Sequence, residues 1–192
     1  DYIDCGSYTA IDSTDTFSIS MWVKIVAGGY VVGKNNTAAY WGYRFQFLIS
    51  PTTIEVNTNT LAFRNTTLTL GSNWIHVVMV IDRTEASIIN KCKIYVDDTP
   101  ITNVTYGNFA QVTADSSPLI VGARQVGTTT PVINSPFGGN MDEVSIWSNA
   151  LQPSDITTIY NLGIPNDISS LNPIGWWRCG DGDTSPTLTD NG

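Results

Sequence analysis

Paired carboxylates are the first chemistry to look for in this sequence, because glycosidases work with two Asp or Glu side chains that flank the scissile bond. Asp142 and Glu143 are adjacent, and neighbours in a strand point to opposite faces of a sheet. Glu143 is therefore expected to be a surface residue. Glu55 and Glu85 each stand alone in a polar stretch. The acidic residues thus predict that the protein is not a glycan-cleaving enzyme.

The only histidine, His76, lies within the apolar run of residues 74–81. A zinc site needs His or Cys partners at regular spacing, which this sequence lacks. A Ser–His–Asp triad would have to use this one ring. We therefore interpret His76 as a hydrogen-bonded core or edge residue and predict no catalytic residue.

The three cysteines are too few and too scattered for a disulfide framework. Cys92 occupies an alternating apolar position, which is typical of a small buried hydrophobic residue. Cys5 and Cys179 fall on the two predicted terminal strands, so a disulfide between them is an open alternative.

Sugar recognition requires an exposed aromatic ring for stacking, together with planar polar groups around it. Aromatic and cationic residues cluster at 40–44, and others lie in separate predicted loops. The candidate carbohydrate-binding residues are Tyr40, Trp41, Tyr43, Arg44, Tyr106 and Arg124. The alternative is that these side chains pack against neighbouring loops.

The charge balance excludes several partners. Nine Lys and Arg against 17 Asp and Glu give a net charge of −8, so there is no basic patch for nucleic acid or for an anionic membrane. No apolar run approaches the ~18 residues of a membrane span. The low share of charged residues, 14%, is typical of many extracellular and virion proteins.

Alternation of apolar and polar residues predicts strands along most of the chain. They are expected at 17–25, 43–49, 54–56, 68–70, 74–81, 94–96, 119–121, 144–147 and 174–179. The 74–81 strand is continuously apolar and is expected to be covered on both sides. Turn compositions at 27–29, 71–73 and 97–100 separate the strands. Strands at this spacing predict a sandwich or barrel.

One helix is expected, at residues 152–162. Pro153 suits a first helical turn, and Ile156, Ile159 and Tyr160 follow helical spacing. Gly163 is expected to supply the left-handed residue that ends the helix.

In this order, several segments resemble the laminin-G-like, concanavalin-A-like jelly-roll family. They are residues 1–4 (DYID), 17–24 (FSISMWVK), 74–78 (WIHVV), 95–98 (YVDD), 119–124 (LIVGAR), 137–147 (FGGNMDEVSIW) and 151–163. The resemblance implies an all-β, antiparallel two-sheet jelly-roll sandwich of pentraxin-like type, with one short helix near 153–162 and a single domain over residues 1–192.

One segment departs from the family order. The stretch 175–183 (GWWRCGDGD) is similar to a strand that normally opens the family's domain, but here it comes last. The order is permuted if strand 174–179 pairs beside the Asp1 strand and completes the sandwich, and this is the interpretation we prefer. The alternative is that the chain is cut from a tandem array.

The family often places a metal-binding Asp at the position of Asp142, where a strand begins. Asp181 and Asp183 alternate with glycine in a tight loop, and Ca²⁺ prefers several oxygen ligands from loops. The predicted metal residues are therefore Asp142, Asp181 and Asp183, with Ca²⁺ in a structural role. Hydrogen bonding of these side chains within their own loops is the alternative.

The resemblance and the missing carboxylate pair together favour a non-catalytic carbohydrate-binding or adhesion module on an extracellular or particle surface, with a glycan or cell-surface polysaccharide as partner. The alternative function is a structural decoration, spike or fibre domain of a virion, which contacts other virion chains and binds no sugar. Because one fold hosts many functions, this prediction rests largely on the family.

Overall fold

The computed structural model of the chain describes residues 1–35, 43–58, 60–102, 105–107, 112, 114, 116–126, 132–180, 183 and 187–192, with the backbone alone at 43, 44, 60–62, 105 and 106. These residues form two compact units. The first unit comprises 1–14, 25–72 and 103–139, and the second comprises 15–24, 73–102 and 140–192.

Strands dominate the described residues. They are β1 (Ile3–Asp4), β2 (Thr16–Asn35), β3 (Tyr43–Ile49), β4 (Ile54–Thr58), β5 (Thr60–Asn65), β6 (Trp74–Asp82), β7 (Cys92–Val96), β8 (Thr99–Pro100), β9 (Thr105–Tyr106), β10 (Leu119–Val121), β11 (Arg124–Val126), β12 (Val132–Asn134), β13 (Gly138–Trp147) and β14 (Gly175–Trp177). Within the same residues there is an α-helix, α1 (Pro153–Tyr160), and there are 3-10 turns at Ile88–Asn90, Asn161–Gly163 and Ser169–Leu171. The predicted fold class, an all-β antiparallel jelly-roll sandwich with one short helix, is confirmed.

The first unit is built on an antiparallel sheet in the order β1–β10–β2–β3–β4–β5–β9, and β11 pairs separately with β12. Alternate residues of β3 and β4 form its core, because Phe45, Phe47, Ile54 and Val56 are fully buried. Burial of each such side chain contributes roughly 1.5–3 kcal/mol. The intervening residues Gln46, Leu48, Glu55 and Asn57 form the opposite face, and all but Leu48 are polar.

The turn predicted at residues 27–29 is wrong, because β2 continues through it. Gly28 and Gly29 have φ of +83° and +149° and kink the strand instead of ending it. A Cβ on Gly28 would lie 2.6 Å from the carbonyl oxygen of Ile49. Glycine is therefore required here both for its backbone angle and for the close approach of β3.

The second unit pairs β8, β7, β6 and residues 16–24 of β2 in antiparallel order, and β13 with β14. The expectation that β6 is covered on both sides is confirmed by seven successive buried residues. A hydrophobic cluster lies beneath α1: Val78, Val80, Tyr95, Trp147, Leu151, Ile156, Ile159, Ile168 and Trp176. Asp97 and Asp98 both have positive φ and close the two-residue turn between β7 and β8, as a type I′ hairpin demands.

Helix α1 begins with Pro153 as predicted, and the Asp155 carboxylate accepts a hydrogen bond from the Gln152 N–H at 2.9 Å. This contact satisfies an N–H group that the first turn leaves without a helical partner. The helix ends earlier than expected, because Asn161, and not Gly163, is the left-handed residue that follows it. Asn tolerates this conformation better than most residues.

Two further expectations are wrong, and one open alternative, the Cys5–Cys179 disulfide, is excluded. Residues 68–70 form no strand, and Leu68 and Leu70 instead donate backbone hydrogen bonds to the loop at 51–52. The last strand pairs with β13, whereas β1 pairs with β10, so it does not pair beside Asp1. Cys5 and Cys179 are not joined by a disulfide. By contrast, Cys92 is fully buried as expected, and burial raises the pKa of its thiol.

Candidate functional site

Two rows of side chains lie next to each other on the polar side of the first unit's sheet. In the first row the register places Gly33, Gln46 and Asn57 directly opposite one another on β2, β3 and β4. The second row is formed by the opposed residues Tyr30, Leu48, Glu55 and Arg64. Directly opposed residues point to the same face. We call these seven residues, together with Arg124, the polar face.

Glu55 organises the polar face. One oxygen of its carboxylate accepts a hydrogen bond from Asn57 Nδ2 at 2.8 Å, and the other accepts from Arg64 Nε at 2.6 Å. Neither of these two partners is a second carboxylate. Because one N–H of Asn57 is held by Glu55, the orientation of the Asn57 amide is fixed and its oxygen points away from the carboxylate.

Gln46 is the least accessible polar side chain of this face, at 1% exposure. Among the described residues neither atom of its amide group has a hydrogen-bond partner. Asn35 Oδ1 and Thr58 Oγ1 are also buried, and neither atom has a hydrogen-bond partner among the described residues. A buried polar group left unsatisfied costs about 1–3 kcal/mol.

Arg124 also belongs to this side of the sheet. Its Cβ lies 3.0 Å from the position that a Cβ on Gly33 would take, and its guanidinium lies over the Tyr30 ring at 4.5 Å from the centroid. Arg124 also donates a hydrogen bond to the Tyr30 hydroxyl at 3.2 Å. A cation held on an aromatic face is a stable, oriented pair. Arg124 is buried, so it is not the exposed loop residue that we expected.

The other predicted carbohydrate-binding residues are only partly described. Tyr43 and Arg44 begin β3 and Tyr106 lies on β9, but only their backbone is described, and Tyr40 and Trp41 lie outside the described residues. All the described positions fall in the first unit. Sequence reasoning missed Gln46, Glu55 and Asn57, although their alternation with Phe45, Phe47 and Val56 was the available signal.

The predicted metal residues are engaged in local hydrogen bonds where they are described. One oxygen of Asp142 accepts from the Glu143 N–H at 2.9 Å. The two oxygens of Asp183 accept from the backbone of Thr189 and of Gly180, and the Thr189 bond in particular lowers the pKa of this carboxyl. Asp181 lies outside the described residues.

A complete calcium site is not formed by the described residues. Ca²⁺ takes about 6–8 oxygen ligands, and in the described part of the chain no three His, Cys, Asp or Glu side chains converge to hold a metal. The charges of Asp142 and Asp183 both act on the thiol of Cys179. Burial first, and then the charges of Asp142, Glu143 and Asp183, raise the pKa of the Cys179 thiol to about 12.

Glu143 is not the surface residue that we expected. It is 8% exposed, and its carboxylate accepts hydrogen bonds from Trp176 Nε1 at 2.6 Å and from Arg178 Nε at 3.1 Å. Its φ of +50° interrupts the strand alternation on which the expectation rested. Both oxygens are occupied by fixed donors, so Glu143 acts here as a structural anchor for the segment around β14.

His76 is fully buried, and its Nε2 is hydrogen-bonded to Ser20 Oγ at 2.7 Å. The Trp22 and Tyr160 rings lie at 5.1 and 6.0 Å from it. Among the described residues Nδ1 has no hydrogen-bond partner, so no carboxylate there orients the ring as a triad requires. The interpretation of His76 as a hydrogen-bonded core residue is confirmed.

Comparisons with known proteins identify the family and the fold. The family model Laminin_G_3, of the concanavalin A-like lectin/glucanases superfamily, matches residues 1–157. The chain therefore belongs to this superfamily. No curated protein sequence matches it.

Three solved structures share the fold. A putative carbohydrate binding protein from Bacteroides ovatus is 14% identical with a TM-score of 0.67, and the match covers 100% of this chain and 53% of that one. A SAP-like pentraxin from Limulus polyphemus is 15% identical with a TM-score of 0.54, over 76% of this chain and 70% of that one. Domain 4 of AbnA, an extracellular GH43 arabinanase from Geobacillus stearothermophilus solved with arabinotriose, is 18% identical with a TM-score of 0.52, over 78% and 68%. The chain thus spans about half the length of the Bacteroides ovatus protein.

Proposed function

We propose that the chain is a non-catalytic carbohydrate-binding module that binds its glycan on the polar face of the first unit. The observation that carries this proposal is the arrangement of Asn57, Glu55 and Arg64 beside the Tyr30–Arg124 pair on one side of the sheet. Amide groups, an aromatic ring and an arginine on one sheet face are the groups that orient a sugar in a binding site. Two of the related structures support the proposal, since one is described as a putative carbohydrate binding protein and another was solved with arabinotriose.

The contacts of two carboxylates, Glu55 and Glu143, favour binding over cleavage. Glu55 is held between Asn57 and Arg64, and Glu143 is held between Trp176 and Arg178. A general acid or nucleophile in a glycosidase needs a carboxyl group that faces the scissile bond. These two carboxylates instead fix protein side chains, which suits a module that binds without reacting.

We place the module on an extracellular or particle surface, where a glycan or cell-surface polysaccharide is its partner and adhesion its role. Within the described residues no helix is long and apolar enough to cross a membrane. Calcium, if it is a structural ion here, requires Asp181 in addition to Asp142 and Asp183.

A glycan array followed by isothermal titration tests the proposal. The wild type is expected to bind at least one glycan and to release no reducing ends from it. The Asn57→Ala variant is expected to bind more weakly, and Asn149→Ala, which removes an exposed amide in the second unit, is expected to bind normally. Absence of binding across the array, or equal binding by the two variants, would count against the polar face as a glycan site.

A second candidate function, a structural domain of a virion or other particle, is favoured by one observation. Leu162 and Ile164 are 91% and 64% exposed, two residues apart after α1. Neighbouring exposed apolar side chains are typical of protein contacts. If the array is empty and light scattering shows an oligomer that Leu162→Ser dissociates, this second function replaces the first.

A further inference from the structure

We propose that the second unit binds a primary alkylammonium group, the head group of a lysine side chain, in a small pocket beside Glu143. The pocket belongs to the second unit, whereas the polar face belongs to the first. The inference therefore goes beyond the proposed function and does not depend on it. It follows from the size of the pocket, the hydrogen-bond acceptors that line it, and the charge of the unit around it.

The pocket lies between the sheet of the second unit, helix α1 and the loop that follows the helix. Its lining consists of Ser20 and Trp22 on β2, Glu143 on β13, Ile159 on α1, and Asn166 and Ile168 in the loop. Five of these residues are buried and Asn166 is not, so Asn166 marks the mouth. The free space is about 10 Å³, which is about what one water molecule needs. An ammonium head group is of this size, whereas guanidinium and quaternary ammonium groups are larger.

The acceptors of the pocket match the donors of an ammonium group. Glu143 Oε2 accepts from Trp176 Nε1 at 2.6 Å, and Oε1 accepts from Arg178 Nε at 3.1 Å. A carboxylate has about four acceptor positions, so two remain after these bonds. The Ser20 hydroxyl and the Asn166 amide oxygen each make one hydrogen bond already and keep a further acceptor position. An ammonium group carries three donors and no acceptor, so a carboxylate, a hydroxyl and an amide oxygen can satisfy it completely.

The apolar walls of the pocket suit the carbon stem of a lysine. Trp22, Ile159 and Ile168 form these walls, and lysine packs its methylene stem on apolar surface while its charged head bonds to polar groups. An aromatic ring also attracts a cation that lies within about 6 Å of it. The amine of an amino sugar, by contrast, is attached to a branched ring carbon, which has no room in a space of this size. The pocket therefore favours an unbranched alkylammonium group.

The second unit is the acidic part of the chain. It carries 12 acidic and five basic side chains, whereas the first unit carries five and four. Residues 140–192, which include Glu143, hold seven acidic side chains and a single basic one, Arg178. A field of one sign raises the local concentration of ligands of the opposite charge. The charge alone would attract any cation, and the pocket adds the selection by size.

The test follows the indole N–H signal of Trp176 by NMR while methylammonium chloride replaces NaCl at constant ionic strength. Because this N–H is bonded to Glu143 Oε2, its signal reports directly on the carboxylate. A saturable shift is expected, with a Kd on the order of 10 mM, which is near the limit for a ligand of two non-hydrogen atoms. Nα-acetyl-lysine methylamide is expected to bind more tightly, and tetramethylammonium is expected not to bind. The absence of a saturable shift, equal responses to methylammonium and tetramethylammonium, or tighter binding of glucosamine than of the lysine derivative would each overturn the inference.

Two substitutions with opposite expected effects separate ligand binding from folding. Glu143→Gln keeps an oxygen that accepts from Trp176 Nε1 but removes the charge, so methylammonium is expected to bind about tenfold more weakly or worse. Arg178→Met removes the cation that shares the carboxylate, so binding is expected to tighten roughly fivefold, the effect of one unit charge at ~4 Å in water.

Two further variants are the matched controls. Glu85→Gln and Lys93→Met make the same changes of charge elsewhere in the second unit, and both are expected to bind methylammonium as the wild type does. A disturbed fold weakens binding, so it cannot imitate the tighter binding expected of Arg178→Met. Binding that Glu143→Gln leaves unchanged, or that Arg178→Met fails to tighten beyond Lys93→Met, would overturn the inference.

Discussion

Acid is expected to destabilise the fold through His76. This residue is fully buried, with Ser20 and Trp22 of β2 on one side and Tyr160 of α1 on the other. Asp97 accepts a hydrogen bond from the backbone N–H of His76 and not from the ring. Burial lowers the pKa of the His76 ring from 6.5 to about 4, because the charged form cannot be hydrated there.

The direction of this pH effect on stability follows from the protonation state of His76 in the folded and unfolded chains. Above pH 6.5, the model value, the ring is neutral in both states and contributes no pH dependence. Between pH 6.5 and about 4 the unfolded chain binds a proton that the folded chain does not, so stability falls as the pH falls through this window. At ~1.4 kcal/mol per pKa unit, the full loss is about 3 kcal/mol, and about 2.5 kcal/mol of it is reached near pH 4.5.

The assay is urea unfolding at about pH 7 and about pH 4.5 for the wild type and for His76→Gln. The carboxyl groups are the same in both proteins, so the difference between the pH dependences of their unfolding free energies isolates the contribution of His76. The wild type is expected to lose about 2–3 kcal/mol more than His76→Gln on acidification, and Ser20→Ala, which keeps the ring, is expected to behave like the wild type. If the wild type and His76→Gln lose equal stability, the explanation from burial is refuted.

Three other predictions concern stability. Lys34→Met leaves the buried Asp12 carboxylate, 2.6 Å from Lys34 Nζ, without its cation. Urea unfolding is therefore expected to show that the free energy of unfolding falls by about 3–5 kcal/mol, and that the double variant Lys34→Met/Asp12→Leu recovers most of this loss. Equal losses in the single and double variants would contradict the prediction. Gly29→Ala is expected to lower the melting temperature more than Gly6→Ala. Both glycines have positive φ, but only a Cβ at position 29 would clash with backbone atoms. Equal changes in melting temperature would show that the backbone moves to relieve this clash. Ca²⁺ is expected to raise the melting temperature, with reversal by EDTA and loss of the rise in Asp181→Asn; no rise would remove the calcium site.

The sequence of apolar and polar residues within a segment was sufficient to predict two kinds of strand. These are strands with one apolar and one polar face, and strands that are buried on both faces. Residues 43–49 and 74–81 alternate or are continuously apolar, and β3 and β6 lie where these patterns place them. The kink at Gly28 and Gly29 was mistaken for a turn, since glycine supplies positive φ to turns and to bulges alike. At Leu68 and Leu70 the alternation was too short to outweigh the backbone hydrogen bonds that hold this segment to the loop at 51–52.

The candidate site depended on information that no single segment carries. Gln46, Glu55 and Arg64 lie on three strands, and only the register between these strands shows that they share a face. Glu143 was misplaced for a different reason, because residues 143–147 are all buried, and Trp176 and Arg178 contact the side chain that was expected to be exposed. The pattern of a strand therefore predicts the burial of its apolar residues better than it predicts the contacts of its polar residues.

The most direct test of the central claim is an NMR titration that follows the side-chain amide signals of Gln46 and Asn57 while the best hexose oligosaccharide from the array is added. Both pairs of signals are expected to shift with one saturation curve, because Asn57 and Gln46 lie directly opposite each other on β4 and β3. The exposed amide of Asn149 is expected not to move. Saturable binding that leaves the Gln46 and Asn57 signals unchanged and shifts resonances elsewhere would contradict the assignment of the polar face as the glycan site.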